Sequence, residues 1–230
     1  MKLITVSVIF WTFFSVWGIN VEIPHPSQKK AEGSITGTVV LSPKNAAVRF
    51  GGGLYGRPAP SSGAQTSNDS VLVVLMSSQP VSASPQTEPI MLDQKDQRFS
   101  PNLLPIRRQQ VVRFRNSDPV YHNVFSLSDT KKFDVGRRPM GEHLDVTFDK
   151  SGLVDVFCDI HSNMHAVIYV MPDRALSWTK IQSGASFNFE QLSPGSYELK
   201  IHARGYDEVS MSVEVSSDEQ ANVGTITLNS

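Results

Sequence analysis

The sequence has a single cysteine, Cys158, in 230 residues. One thiol excludes an internal disulfide framework. Charge of either sign is also missing in excess: the formal net charge is −1, which gives no electrostatic case for a nucleic-acid or anionic-membrane partner. No apolar run is long enough to anchor the mature chain, since the one candidate, Leu3 to Trp17, is about 15 residues against the ~20 that span a bilayer. Ser-His-Asp patterns, phosphate-cradling glycine loops and paired-carboxylate signatures are absent as well, so the reading is a non-enzyme. What is present is 40% hydrophobic residues, 14 Pro and 15 Gly. Together with many Val, Thr and Phe, these tilt the chain toward β structure around a real core.

Residues 1–18 read as a secretory signal. Lys2 supplies the positive start, the apolar stretch follows, and Val16 and Gly18 place small residues near a cleavage site. No cysteine follows to carry a lipid. Losing Lys2 leaves the mature chain near about −2. The expected location is therefore the periplasm. In an exported chain Cys158 has four possible fates: a small buried hydrophobe, a reactive thiol, an intermolecular crosslink or a metal ligand.

Residues 19–33 are a polar, proline-containing tether. Residues 34–80 contain two strand candidates, ITGTVVL and SVLVVLM, separated by a Gly/Pro/Ser-rich stretch that reads as a long loop. Asn68-Asp69-Ser70 fits a glycosylation sequon, a triplet common by chance. Residues 81–172 have another texture. PIMLDQ, NLLPI, QVVRFRN, HNVFSL, LDVTFD, GLVDVFC and AVIYVM are short strands divided by turns, the pattern of an antiparallel sandwich. Residues 173–230 hold SFNF, SYELKIHA, EVSMSVEVS and VGTITLN. They are short for an independent core and need strands from elsewhere; those of 34–80 are available.

The chemistry concentrates at Cys158-Asp-Ile-His161-Ser-Asn-Met164. Alternating Val154, Val156 and Cys158 deliver the thiol to a strand end, and a tight loop brings an imidazole and a thioether around the same point. Thiolate, imidazole and thioether suit copper: a trigonal plane of strong ligands with a weak axial sulfur serves both oxidation states. Zinc more commonly takes four strong ligands in a tetrahedron. The missing imidazole is His122, upstream at a predicted strand start after a proline-containing turn.

His122-Asn123-Val124 with Cys158-x2-His161-x2-Met164 resembles the cupredoxins of the plastocyanin and amicyanin kind, over roughly residues 89–172. The resemblance implies a Greek-key sandwich with one mononuclear type 1 copper. His122, Cys158 and His161 would be equatorial and Met164 axial, with Asn123 bracing the loop by hydrogen bonding near the thiolate. The chain departs from many relatives at Ile160, where proline often stands, and at Arg108-Gln109-Gln110, where a glycine turn is usual. The flanks resemble a carboxypeptidase regulatory-like domain, a smaller transthyretin-like sandwich, through Gly184, Phe187, Pro194-Gly195, Tyr197 and Gly205-Tyr206. The whole is similar to exported bacterial methylamine-utilisation-type proteins.

The implied function is one-electron transfer between redox partner proteins. Copper binding or trafficking is the alternative, prompted by Met140, His143 and His165 around the loop. A third reading is an interaction module with a degenerate metal site. His165 competes with Met164 as a ligand, although a strand starting at Ala166 would turn it away. His25, His143 and His202 read as surface residues, and Phe125, Phe133, Phe148 and Phe157 as core. The pairs Arg107-Arg108, Lys131-Lys132 and Arg137-Arg138 read as a solvated face before they read as a docking patch.

Overall fold

The computed structural model describes residues 32–43, 70–81 and 87–230. The signal segment, most of the tether, the Gly/Pro/Ser-rich loop and the start of the sequon lie outside them. Among the described residues the chain is all-β, and no helix is long and apolar enough to cross a membrane.

The central sandwich runs from residue 90 to 171. One sheet contains β3 (Ile90–Lys95), β4 (Arg98–Ser100), β6 (Gln110–Asn116) and β9 (His143–Phe148), in the order β4-β3-β6-β9. The other contains β5 (Leu103–Arg107), β7 (Phe125–Ser128), β8 (Lys131–Asp134), β10 (Gly152–Phe157) and β11 (His165–Met171), in the order β5-β11-β10-β7-β8. β3 pairs with β6, and β5 with β11, in parallel; the remaining pairs are antiparallel. This is the expected Greek-key sandwich. Period-two alternation drives it: Val112 and Phe114 on β6, and Val154 and Val156 on β10, point inward to a core with Leu92, Ile106, Phe148 and Ile168.

Not every expectation holds. Phe148 is core and Phe133 packs against it, but Phe125 and Phe157 are half-buried and meet each other at 5.9 Å between ring centres. They fall on the opposite phase of their strands from Val154 and Val156, so the pleat puts them outside. His122 does not start a strand either. It forms an isolated bridge with Arg138, three residues before β7.

The flanking sandwich draws on both ends of the chain. β1 (Gly33–Leu41) lies between β13 (Ser186–Leu192) and β16 (Gln220–Leu228). β2 (Ser70–Ser77) lies between β12 (Ala175–Gln182) and β14 (Gly195–Ala203), with β15 (Val209–Val215) beyond. Its core contains Ile35, Val39, Val71, Val73, Leu75, Phe187, Leu199 and Ile201. At Gly37 a Cβ would sit 2.9 Å from the Phe187 ring and 2.6 Å from Val223, so this crossing needs glycine.

β2 is buried on both faces from Val71 to Met76, with only Ser70 and Ser77 partly exposed. Val71, Val73 and Leu75 enter the flanking core, while Leu72, Val74 and Met76 enter a separate apolar seam. Across that seam stand Leu103 of β5 and Val167, Tyr169 and Met171 of β11. The continuous apolar run in β2 therefore reflects a strand sandwiched between two cores.

Candidate metal centre

Cys158 follows β10 directly and is buried. The β10–β11 ladder closes one residue earlier, at Phe157 opposite His165, so the intervening residues form the hairpin's end loop. Met164 N–H donates to the His161 carbonyl at 3.0 Å, which tightens that loop and brings His161 back over the thiol. His122 arrives from the β6–β7 connection. Its backbone exchanges two hydrogen bonds with Arg138, at 3.1 and 2.7 Å.

Three ligand atoms converge. Cys158 Sγ is 3.8 Å from His122 Nδ1 and 3.8 Å from His161 Nδ1, and the two nitrogens are 3.0 Å apart. A point in their plane ~2.0 Å from each nitrogen lies ~2.2 Å from the sulfur, close to ordinary bond lengths from imidazole and thiolate to a first-row metal. The residues present therefore fit a metal ion. Cys158 and His122 are buried and His161 is half-exposed, so one imidazole reaches the surface while the thiol does not. Met164 is buried in the same core cluster as Cys158.

The tautomer of His122 is fixed from behind. Its Nε2 lies 2.7 Å from Asp118 Oδ2, with both side chains buried. A carboxylate accepts, so Nε2 carries the hydrogen and Nδ1 turns its lone pair to the cysteine. Asp118 also accepts N–H bonds from Asp96 at 2.6 Å and Gln97 at 2.8 Å. Burial pushes its carboxyl up, but the bonds from Gln97, His122 and Asp96 outweigh this and hold it below the usual carboxylate range. Asn116, fully buried, donates to the carbonyls of Val120 and Arg138 and accepts from Asp118 N–H. The loop that presents His122 is thus braced by Asn116 and Asp118, and neither stood out in the sequence. A polar residue in a turn has no period to betray it; only the cluster Asn116-Ser-Asp118-Pro marks a structured turn.

Asn123 is buried beside His122, and its Oδ1 accepts from Val124 N–H at 2.7 Å. That bond shapes the chain leaving His122; no hydrogen bond joins Asn123 to Cys158. His165 begins β11, donates Nε2–H to Asp155 at 2.7 Å and stacks on Phe157 at 4.6 Å, away from the thiol. His143 is exposed, as expected, whereas His202 is buried. The six dibasic side chains are engaged: Arg107 donates to the Ala175 carbonyl and lies over Trp178, and the other five pair with Asp173, Asp149, Asp129, Asp159 and Glu142.

No family model matches the chain, and no curated protein matches it. Among solved structures, a copper-containing nitrite reductase from Thermus scotoductus SA-01 is similar at 24% identity and TM-score 0.36, over 41% of this chain and 25% of that one. A reduced amicyanin variant is similar at 18% identity and TM-score 0.35, over 43% of this chain and 98% of its own. A purple cupredoxin from Nitrosopumilus maritimus is similar at 20% identity and TM-score 0.33, over 36% of this chain and 99% of its own. The chain thus spans a quarter of the reductase and nearly all of the two small proteins.

Proposed function

We propose that this chain is an exported type 1 copper protein that passes single electrons between redox partner proteins and transforms no substrate. His122, Cys158 and His161 would hold the metal in a plane, with Met164 as the axial sulfur. The observation that carries this reading is the shape of the triangle formed by the two imidazole nitrogens and the thiol sulfur. Bonds of ordinary length at tetrahedral angles would put the nitrogens ~3.3 Å apart and each ~3.6 Å from the sulfur. The two nitrogen–sulfur distances of 3.8 Å exceed that toward the wider angles of the trigonal plane that copper accepts and zinc avoids, while the nitrogen–nitrogen distance of 3.0 Å is short for either geometry.

When bound, copper would supply a one-electron couple. The chain's own residues do the rest. Asp118 and Asn116 fix His122, and the β10–β11 hairpin fixes Cys158, so the ligand geometry changes little with redox state. His161 presents the one half-exposed ligand edge. Val120, Tyr121, Met140 and Ile160 flank the ligand segments and are exposed; they offer a partner an apolar rim that excludes water. The flanking sandwich, in this reading a carboxypeptidase regulatory-like module, would choose or orient that partner. Copper trafficking is the second reading, favoured by exposed Met140, a soft sulfur ligand close in sequence to the His122–Arg138 bridge.

Visible and paramagnetic resonance spectra of the copper-loaded chain test the proposal. An intense thiolate-to-copper absorption that vanishes in Cys158→Ser is the expected result. A colourless copper adduct with a tetragonal signature would overturn it, and ready transfer of copper to an acceptor without reversible voltammetry would favour trafficking.

A further inference from the structure

The two sandwiches meet along the apolar seam and again beside the Cys158–Met164 loop, where they flank an open cavity of about 690 Å³. That is the size of a small-molecule site. Arg98 lines it from the start of β4 and Asn102 from the turn that follows the strand, Asn163 and His165 from either side of Met164, and Arg204 from the turn after β14. No aspartate or glutamate lines it among the described residues.

Arg204 is held in a defined position. Its Nη1 is 3.2 Å from His165 Nδ1. A guanidinium only donates, so Nδ1 accepts, and the ring hydrogen sits on Nε2 and donates to Asp155 at 2.7 Å. Stacking on Phe157 with a 6° interplanar angle keeps the ring in that plane. Asp155 therefore meets this cluster through the histidine ring. Arg98 comes from the other sandwich and has no ion-pair partner among the described residues. Two guanidiniums thus line one cavity, and none of its described lining residues is a carboxylate.

We propose that this cavity binds a small oxyanion, inorganic phosphate or a short polycarboxylate, with Arg98 and Arg204 as the recognising groups and the amides of Asn102 and Asn163 completing its hydrogen bonds. Guanidinium and oxyanion match in planar, paired hydrogen bonds. Because the arginines belong to separate sandwiches, a bound anion adds a tie across the junction and raises the melting temperature. The site stands whether or not the metal centre carries electrons.

Calorimetric titration of the full copper-loaded chain with phosphate, and separately with citrate, at constant ionic strength in chloride, tests this. Saturable binding of one anion per chain is expected, and whichever anion binds identifies the source chemistry. Arg98→Gln and Arg204→Gln should each weaken it by about tenfold or more, the worth of a charge-assisted contact. Arg113→Gln, on β6, outside the cavity lining and paired with Asp145, should leave it unchanged. Arg98→Gln disturbs no contact of His165, so it carries the test if Arg204→Gln misfolds. Heats that fail to saturate, or affinity unchanged in Arg98→Gln, would overturn the proposal. Binding of a hexaglutamate peptide when both small anions fail would overturn it too, and would mark the face as a protein-docking surface.

Discussion

Three hydrogen-bond donors converge on the carboxylate of Asp118: the N–H groups of Asp96 and Gln97, and Nε2–H of His122. Asp96 and Gln97 both have φ of 53° without being glycine, so the β3–β4 turn they form is held open at some cost. One buried anion therefore offsets a strained turn and orients the imidazole of His122. Asparagine cannot serve all three donors, because its amide nitrogen must face at least one of them in place of an oxygen. Asp118→Asn should lower stability by about 2–3 kcal/mol, the worth of a hydrogen bond to a charged acceptor. It should also weaken copper binding by roughly 10- to 100-fold through loss of ligand orientation. Denaturant midpoints and a copper-competition titration check both; unchanged copper affinity would refute the orienting role. The convergence of His122, Cys158 and His161 was legible from spacing, since a Cys-x2-His loop and an upstream His need only a hairpin and one neighbouring loop to meet. Asp118 was not, because its role depends on a turn distant in sequence.

At the scale of elements, period-two alternation made nearly every long strand legible, down to the same bounds for QVVRFRN as β6. The misses were β4, β8 and β12. The first two are three- and four-residue strands, too short for a period to register, and β12 fully buries only Ala175, with no regular alternation after it. The sequence departure at Arg108-Gln109-Gln110 has a physical counterpart. Gln109 is exposed and adopts φ of 63° in the connection from β5 to β6, donating its N–H to the Phe148 carbonyl at 2.6 Å. A side chain there costs ~1–2 kcal/mol, while glycine surrenders ~0.5–1 kcal/mol in the unfolded chain. Gln109→Gly should therefore stabilise the protein by about 0.5–1 kcal/mol, read as a raised urea midpoint at constant m-value. Gln109→Val, β-branched at positive φ, should lower it by more than that.

At the scale of the whole molecule, the seam between the sandwiches explains why His202 was misread. It lies on β14 opposite Leu72 of β2, on the face that carries no flanking-core residues, and alternation alone assigns that face to solvent. The central sandwich covers it instead: Tyr169 of β11 places its ring 5.6 Å from the imidazole. His202 Nε2 is buried with no hydrogen-bond partner among the described residues. Burial drives its pKa below the ordinary histidine value, and the pull of Glu208 and Asp155 in the other direction does not compensate. Above about pH 6.5 the ring is neutral in both folded and unfolded chains, so it adds no pH dependence. As pH falls below that value the unfolded chain takes up a proton that the folded chain refuses. Stability is then lost at up to ~1.4 kcal/mol per pH unit until the folded-state pKa is reached. Other groups also titrate in acid, so the informative quantity is the difference from a variant lacking the imidazole. His202→Leu keeps the seam apolar and removes the orphaned nitrogen. It should match or exceed the parent's stability at pH 7, and its advantage should grow as the pH falls below about 6.5. Denaturant unfolding across that range would measure it. An advantage that stays constant with pH would mean the buried ring protonates as readily as a free one, and that acid leaves the junction undisturbed.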